Sequence, residues 1–124
     1  MARRSTFGRA ERMTRASEIR GLWRDGRKIE GAGMAVYVRP QSAGAAAAVS
    51  RLGVSVPKKI GGAVRRNRVK RLVREAWRTG RAKMAAPADV LVVVRGGSAR
   101  WKGLQDASGA LTAALFRAGL LKRA

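Results

Sequence analysis

The chain has 124 residues, of which 46% are hydrophobic, enough for one compact domain with a small core. It contains no cysteine and no histidine, which excludes disulfides, thiolate metal sites, a cysteine nucleophile and the commonest general base. Lys and Arg number 28 against 7 Asp and Glu, a net charge of +21, so the domain repels itself and calls for a polyanion, whose condensed counterions are released on binding.

Seven of the cations are Lys, leaving 21 Arg, the residue whose planar fork binds phosphates bidentately and stacks on bases. No secretory or membrane segment is visible. The most apolar run, Val90 to Val94, is far too short to span a bilayer, and a cytoplasmic protein is expected.

Residues 1–14 are basic and aperiodic and read as a flexible arm, leaving 15–124 as a single domain. Ser17 can cap a short helix whose apolar stripe is Ile19, Leu22 and Trp23, ended by Asp25-Gly26. A short strand fits Arg27 to Gly31. Met34 to Arg39 alternates, with Met34, Val36 and Val38 on one face and Ala35, Tyr37 and Arg39 on the other, a strand stopped by Pro40. Gln41 to Ala48 reads as a loop, although its four-Ala run suits a helical turn. Leu52, Val54 and Val56 share one face of the next strand, closed by Pro57 and followed by an Ile60-Gly61-Gly62 turn. Val69, Leu72, Val73, Ala76 and Trp77 then mark an amphipathic helix starting near Ala63 and fading from Gly80. The unbroken apolar run Val90 to Val94 suits a strand covered on both faces. Leu104, Ala107, Leu111 and Leu115 mark a last helix, with Gly119 as its stop. Strands interleaved with helices make this an α+β fold, a two-layer α/β sandwich with one small mixed sheet and about three helices.

The central helix is basic where it is not apolar. Asn67, Lys70, Arg71, Arg74, Arg78 and Arg81 gather opposite the stripe, and Glu75 alone interrupts them, four residues after Arg71 and able to pair with it. Like charges at i and i+4 weaken an isolated helix, so this face is built to meet an anion. Before it, Lys58-Lys59-Ile60-Gly61-Gly62 could bring backbone close to a phosphate, or could be a plain strand-to-helix turn.

The stretch from Arg51 to Glu75, Arg-Leu-Gly-Val-Ser-Val-Pro-Lys-Lys-Ile-Gly-Gly-Ala-Val-Arg-Arg-Asn-Arg-Val-Lys-Arg-Leu-Val-Arg-Glu, resembles the signature of bacterial ribonuclease P protein components. Fainter similarity covers Arg12 to Gly26, Met34 to Val38 and Asp89 to Arg95. The resemblance implies a left-handed β-α-β crossover, against the general right-handed rule. It implies binding of a catalytic RNA by Arg66, Asn67, Arg68, Lys70, Arg71 and Arg74, joined by Lys58, Lys59 and Arg65. It further implies a cleft for the single-stranded 5′ leader of precursor tRNA, lined by Ile19, Trp23 and Tyr37. A Tyr more often keeps its hydroxyl end wet. Core packing explains Ile19 and Trp23 about equally well. Three positions depart from the family's habit: Pro57 where Ser is usual, Gly62 where Asn is common, and Ile19 where an aromatic is frequent.

The seven carboxylates, Glu11, Glu18, Asp25, Glu30, Glu75, Asp89 and Asp106, form no cluster in the sequence fit to hold two metal ions. The expectation is therefore a protein with no catalytic residue and no cofactor of its own. In the implied assembly the RNA uses Mg²⁺, the partners are that RNA and precursor tRNA, and neither DNA nor membrane is involved. A ribosomal protein would explain the charge but not the ordered signature. A helix-turn-helix DNA binder would need a helix immediately before Ala63, where Leu52 to Val56 reads as strand.

Overall fold

In the computed structural model, residues 12, 13, 15–41 and 49–122 are described. Most of the expected arm and of the 41–48 loop lies outside them. The chain runs α1 (Ala16–Asp25), β1 (Arg27–Gly31), β2 (Met34–Pro40), β3 (Arg51–Ser55), α2 (Ala63–Gly80), β4 (Ala88–Val94) and α3 (Leu104–Arg117), with short 3₁₀ turns before and after α2 and before α3. The four strands form one mixed sheet in the order β1-β2-β4-β3. Strand β4 pairs antiparallel with β2 and parallel with β3. The α+β fold expected from the sequence is present, with three helices and one mixed sheet, and the helices cover both faces of that sheet.

Every residue of β4 is buried, because the strand is covered on both faces. On one face Val90, Val92 and Val94 join Met34, Val36, Val38 and Leu52 against Val69, Val73, Ala76 and Trp77 of α2 and Ala107, Leu111, Ala114 and Leu115 of α3. On the other, Leu91 and Val93 join Ala35 and Tyr37 beneath Leu22 of α1, with Ile19 partly buried beside them. The period-2 pattern of β2 thus feeds two separate cores. Met13, placed in the arm by its sequence context, belongs to the second core, and its N–H donates to the Leu52 carbonyl at 2.9 Å.

Local signals explain most element ends. The β1–β2 hairpin turns at Ala32-Gly33, where Gly33 has φ +82° and a Cβ would lie 2.7 Å from the Ser98 nitrogen. Helix α3 ends in a Schellman motif: Leu120 N–H donates to Leu115 O and Gly119 N–H to Phe116 O, with Gly119 at φ +76°. Ser17 is not the cap of α1. Arg15 occupies that position without a side-chain cap, and Ser17 lies within the first turn beside Glu18, whose charge suits the helix N-terminus.

A polar row crosses the sheet on the α1 side. Asp89 of β4 lies opposite Arg39 of β2 and Arg51 of β3 in the strand register. Arg51 donates to both Asp89 oxygens, from Nε at 3.0 Å and from Nη2 at 2.9 Å. Gln41 Nε2 adds a bond at 3.1 Å and Arg39 Nη2 one at 3.4 Å. Burial pushes the Asp89 carboxyl up, but the hydrogen bonds from Arg51 and Gln41, the Arg51 charge and the Arg39 bond outweigh it and hold the pKa below its ordinary value.

Two expectations follow. Val92→Asp places an unpaired charge between two cores, costs several kcal/mol and abolishes the cooperative melt; a loss under about 1 kcal/mol would contradict the double burial of β4. Asp89→Asn lowers stability by about 1–3 kcal/mol at neutral pH, because charged hydrogen-bond partners lose their acceptor. The folded pKa of Asp89 is depressed, so its contribution is present above the unfolded value of about 3.9 and fades as pH falls through the folded one. The wild-type and variant denaturation curves therefore converge in acid.

Candidate nucleic-acid interface

Helix α2 buries Val69, Val73, Ala76 and Trp77 and turns Arg65, Asn67, Arg68 and Arg71 fully outward, with Arg66, Lys70 and Arg74 half-buried at the flanks. Two exposed lysines, Lys58 and Lys59, sit in the 3₁₀ turn just before it. The turn follows β3 directly, so α2 is preceded by a strand and not by a helix, which removes the helix-turn-helix alternative. The N-cap of α2 is Gly62, with no side-chain cap and no acid in the first turn. Its first N–H groups, carrying the positive end of the helix dipole, therefore point out among Lys58, Lys59 and Arg65. A Cβ at Gly62 would meet nothing within 4 Å, so the space for a capping side chain exists and is left open.

The acids explain why this face stays positive. Six of the seven carboxylates are among the described residues, and none of them pairs with a cation in the first half of α2. Glu18 pairs with Arg51, Asp25 with Arg24, Glu30 with Lys28, and Asp89 with Arg39 and Arg51. Asp106 accepts from the Lys102 N–H at 2.7 Å. Glu75 pairs with Arg78, three residues on, and not with Arg71 as the i, i+4 spacing suggested. Lys58, Lys59, Arg65, Lys70, Arg71 and Arg74 have no acidic partner among the described residues. Arg68 reaches back to the Lys102 carbonyl at 3.4 Å, a long bond that leaves most of its guanidinium in water.

Two aromatic residues, Trp23 and Tyr37, meet on the opposite side of the sheet. Trp23 of α1 lies over Tyr37 of β2 with ring centroids 5.7 Å apart and planes tilted by 33°. Trp23 is the outer ring, 45% exposed and flanked on α1 by Arg20 and Arg24. Tyr37 is only 6% exposed as a whole residue and supports Trp23 from beneath as part of the second core. Ile19 packs against that same core. The residues singled out from the sequence therefore fall into two sets separated by the sheet: a basic face on α2, and the Ile19, Trp23 and Tyr37 group between α1 and β2. Sequence reasoning missed Arg20 and Arg24, whose i−3 and i+1 spacing from Trp23 was the available signal. It also missed the polar row around Asp89, which only strand register assembles.

Comparison with known proteins gives one consistent result. Residues 7–118 match the family described as Ribonuclease P. The Ribonuclease P protein component of Clostridium novyi is 34% identical over 110 residues, covering 89% of this chain and 95% of that protein. That of Thioalkalivibrio sulfidiphilus is 38% identical over 96 residues, covering 77% and 76%. Among solved structures, the Staphylococcus aureus RNase P protein superposes with a TM-score of 0.79 at 25% identity, covering 92% of this chain and all of that one. The Thermotoga maritima RNase P protein gives 0.73 at 25% identity, covering 86% and 96%.

If the α2 face meets phosphates, changing Lys70, Arg71 and Arg74 together to Ala makes the dependence of log K on log salt shallower by about 2–3 for a structured RNA. The thermal midpoint should change little, since all three lie off the apolar stripe. An unaltered salt slope would take this face out of the interface.

Proposed function

The chain belongs to the family of ribonuclease P protein components, and on that premise we propose that it is the protein subunit of a ribonucleoprotein endonuclease that removes the 5′ leader from precursor tRNA. It binds the catalytic RNA through Lys58, Lys59 and the α2 face from Arg65 to Arg74. It binds the single-stranded leader across Trp23, with Ile19 and Tyr37 beneath. The observation that carries this reading is the separation of the two surfaces: unpaired cations at an open helix start on one side of the sheet, an exposed ring flanked by arginines on the other.

Each surface suits its ligand for a physical reason. A folded RNA presents phosphates at fixed spacing, and Arg and Lys at i, i+3 and i+4 on a rigid helix meet several at once. A single strand presents unstacked bases, and an aromatic ring accepts the π-face of any of them, so tRNAs with different leaders can be handled alike. Arg20 beside Trp23 then holds the leader backbone, while Arg24 is paired with Asp25.

Hydrolysis is assigned to the RNA partner, which uses Mg²⁺. In support, the six described carboxylates are spent on ion pairs and a helix start, and no group of three potential metal ligands stands together among the described residues. The protein's part is to hold precursor tRNA by its leader, the feature that distinguishes it from mature tRNA. This happens in the cytoplasm, with RNA and not DNA as the partner. No described helix is long and apolar enough to cross a membrane.

The experiment is a binding comparison with the enzyme reconstituted from a bacterial ribonuclease P RNA. Trp23→Ala should weaken precursor tRNA carrying a leader by about 1–3 kcal/mol and leave mature tRNA nearly unchanged. Its melt should stay close to wild type because the ring is half exposed. Tyr37→Ala, by contrast, should lower the melt, since it empties space in a core. Equal losses for both RNAs with Trp23→Ala would show that the ring does not touch the leader.

A further inference from the structure

Helix α1 has a weak hold on the sheet for an element that carries a binding surface. It is ten residues long, has no side-chain cap at its start, and fully buries Leu22 alone, with Ile19 partly buried. Such a helix is not rigid by itself, because isolated helices of this length are marginal in water. One polar contact adds a second anchor point. Arg51 Nη1 donates to Glu18 Oε2 at 2.8 Å, and among the described residues this is the ion pair that ties α1 to the sheet.

The other end of that contact is firmly placed. Arg51 is held by two bonds to Asp89, which is itself 5% exposed and also bound by Gln41 and Arg39. Gln41 Nε2 also donates to the Val49 carbonyl, so the start of β3 is drawn to the end of β2 by the same group. The guanidinium that Glu18 grips is therefore fixed by three strands, and a planar fork bound on both edges transmits that position without slack.

We infer that Arg51 and Glu18 are positioning residues for leader binding: their contact sets the angle at which α1 crosses the sheet and so holds Trp23 over Tyr37. This rests on the leader-binding reading of Trp23. Glu18 and Trp23 are five residues apart on one short helix, with Leu22 between them as the pivot. A helix seated on that leucine alone can swing, and the ring swings with it. Holding the ring in place before the leader arrives removes an ordering cost from binding, the general effect of preorganisation. Neither residue touches RNA in this account, and neither lies on α2.

Glu18→Ala removes the tie while leaving Asp89 with all its donors, and Glu18→Gln keeps a neutral acceptor in the same place. Two quantities are read. One is the ratio of affinities for precursor tRNA with and without its leader, measured on the reconstituted RNA–protein enzyme. The other is the set of proton NOEs between the Trp23 and Tyr37 rings in the free protein. The expected result for Glu18→Ala is a several-fold loss of leader discrimination with weakened ring NOEs and a near-normal melt, partly restored in Glu18→Gln. Intact NOEs and unchanged discrimination in Glu18→Ala, where Trp23→Ala loses discrimination, would overturn the positioning role. If Trp23→Ala leaves discrimination untouched, the leader reading fails instead, and the NOEs alone uphold or overturn the tie between Glu18 and the ring pair.

Discussion

The structure depends on one constraint, the need to cover β4 on both faces. Val90 to Val94 offer water no polar side chain on either side, and all are buried. Leaving either face open would expose a contiguous apolar strip, at roughly 25 cal/mol for each Å². Two separate covers are therefore required, α2 with α3 on one side and α1 with Met13 on the other. Because the covers are helices of an Arg-rich chain, each turns cations outward once its apolar stripe is spent. The layering that satisfies the core thus creates two charged surfaces with a sheet between them.

How the few acids are distributed decides which surface remains most positive. With 7 acids for 28 cations, most cations must go without a partner, and the question is where. Glu18 and Asp89 are used to hold α1 and three strands together. Asp106 serves the start of α3, and Glu75 is taken by Arg78 in the second half of α2. Nothing acidic is left for the first half of α2 among the described residues. A stretch of like charge on one helix face costs some helix stability in the free protein. Burying Val69, Val73, Ala76 and Trp77 offsets that cost and keeps the helix formed.

The two surfaces differ in what they owe to the core. On α2 the cationic side chains and the packing side chains are distinct residues on opposite sides of one helix. On the α1 side they overlap: Tyr37 is a core residue and a support for Trp23 at once, and Ile19 packs against the same cluster. Substitutions on α2 can therefore separate binding from folding, whereas on the α1 side Trp23 is the ring that can be removed without opening the core.

What the sequence determined by itself is what depends on near neighbours along the chain. The 3.6-residue stripe of α2, the alternation of β2 and the unbroken apolar run of β4 each follow from side chains a few positions apart, as do the basic face and the glycine at the end of α3. Local preference was also where local reading erred: the helix begins at Ala16, one residue before Ser17 could cap it, and Glu75 is taken by Arg78 and not by Arg71. The tertiary structure decided what depends on residues distant in sequence. The strand order put Asp89 between Arg39 and Arg51, residues 50 and 38 positions away, and no periodicity announces such a row. It put Met13 into a core and set Tyr37 beneath Trp23. The physical reason is that burial and ion pairing depend on which faces meet, and strand register brings those faces together only when the whole sheet forms.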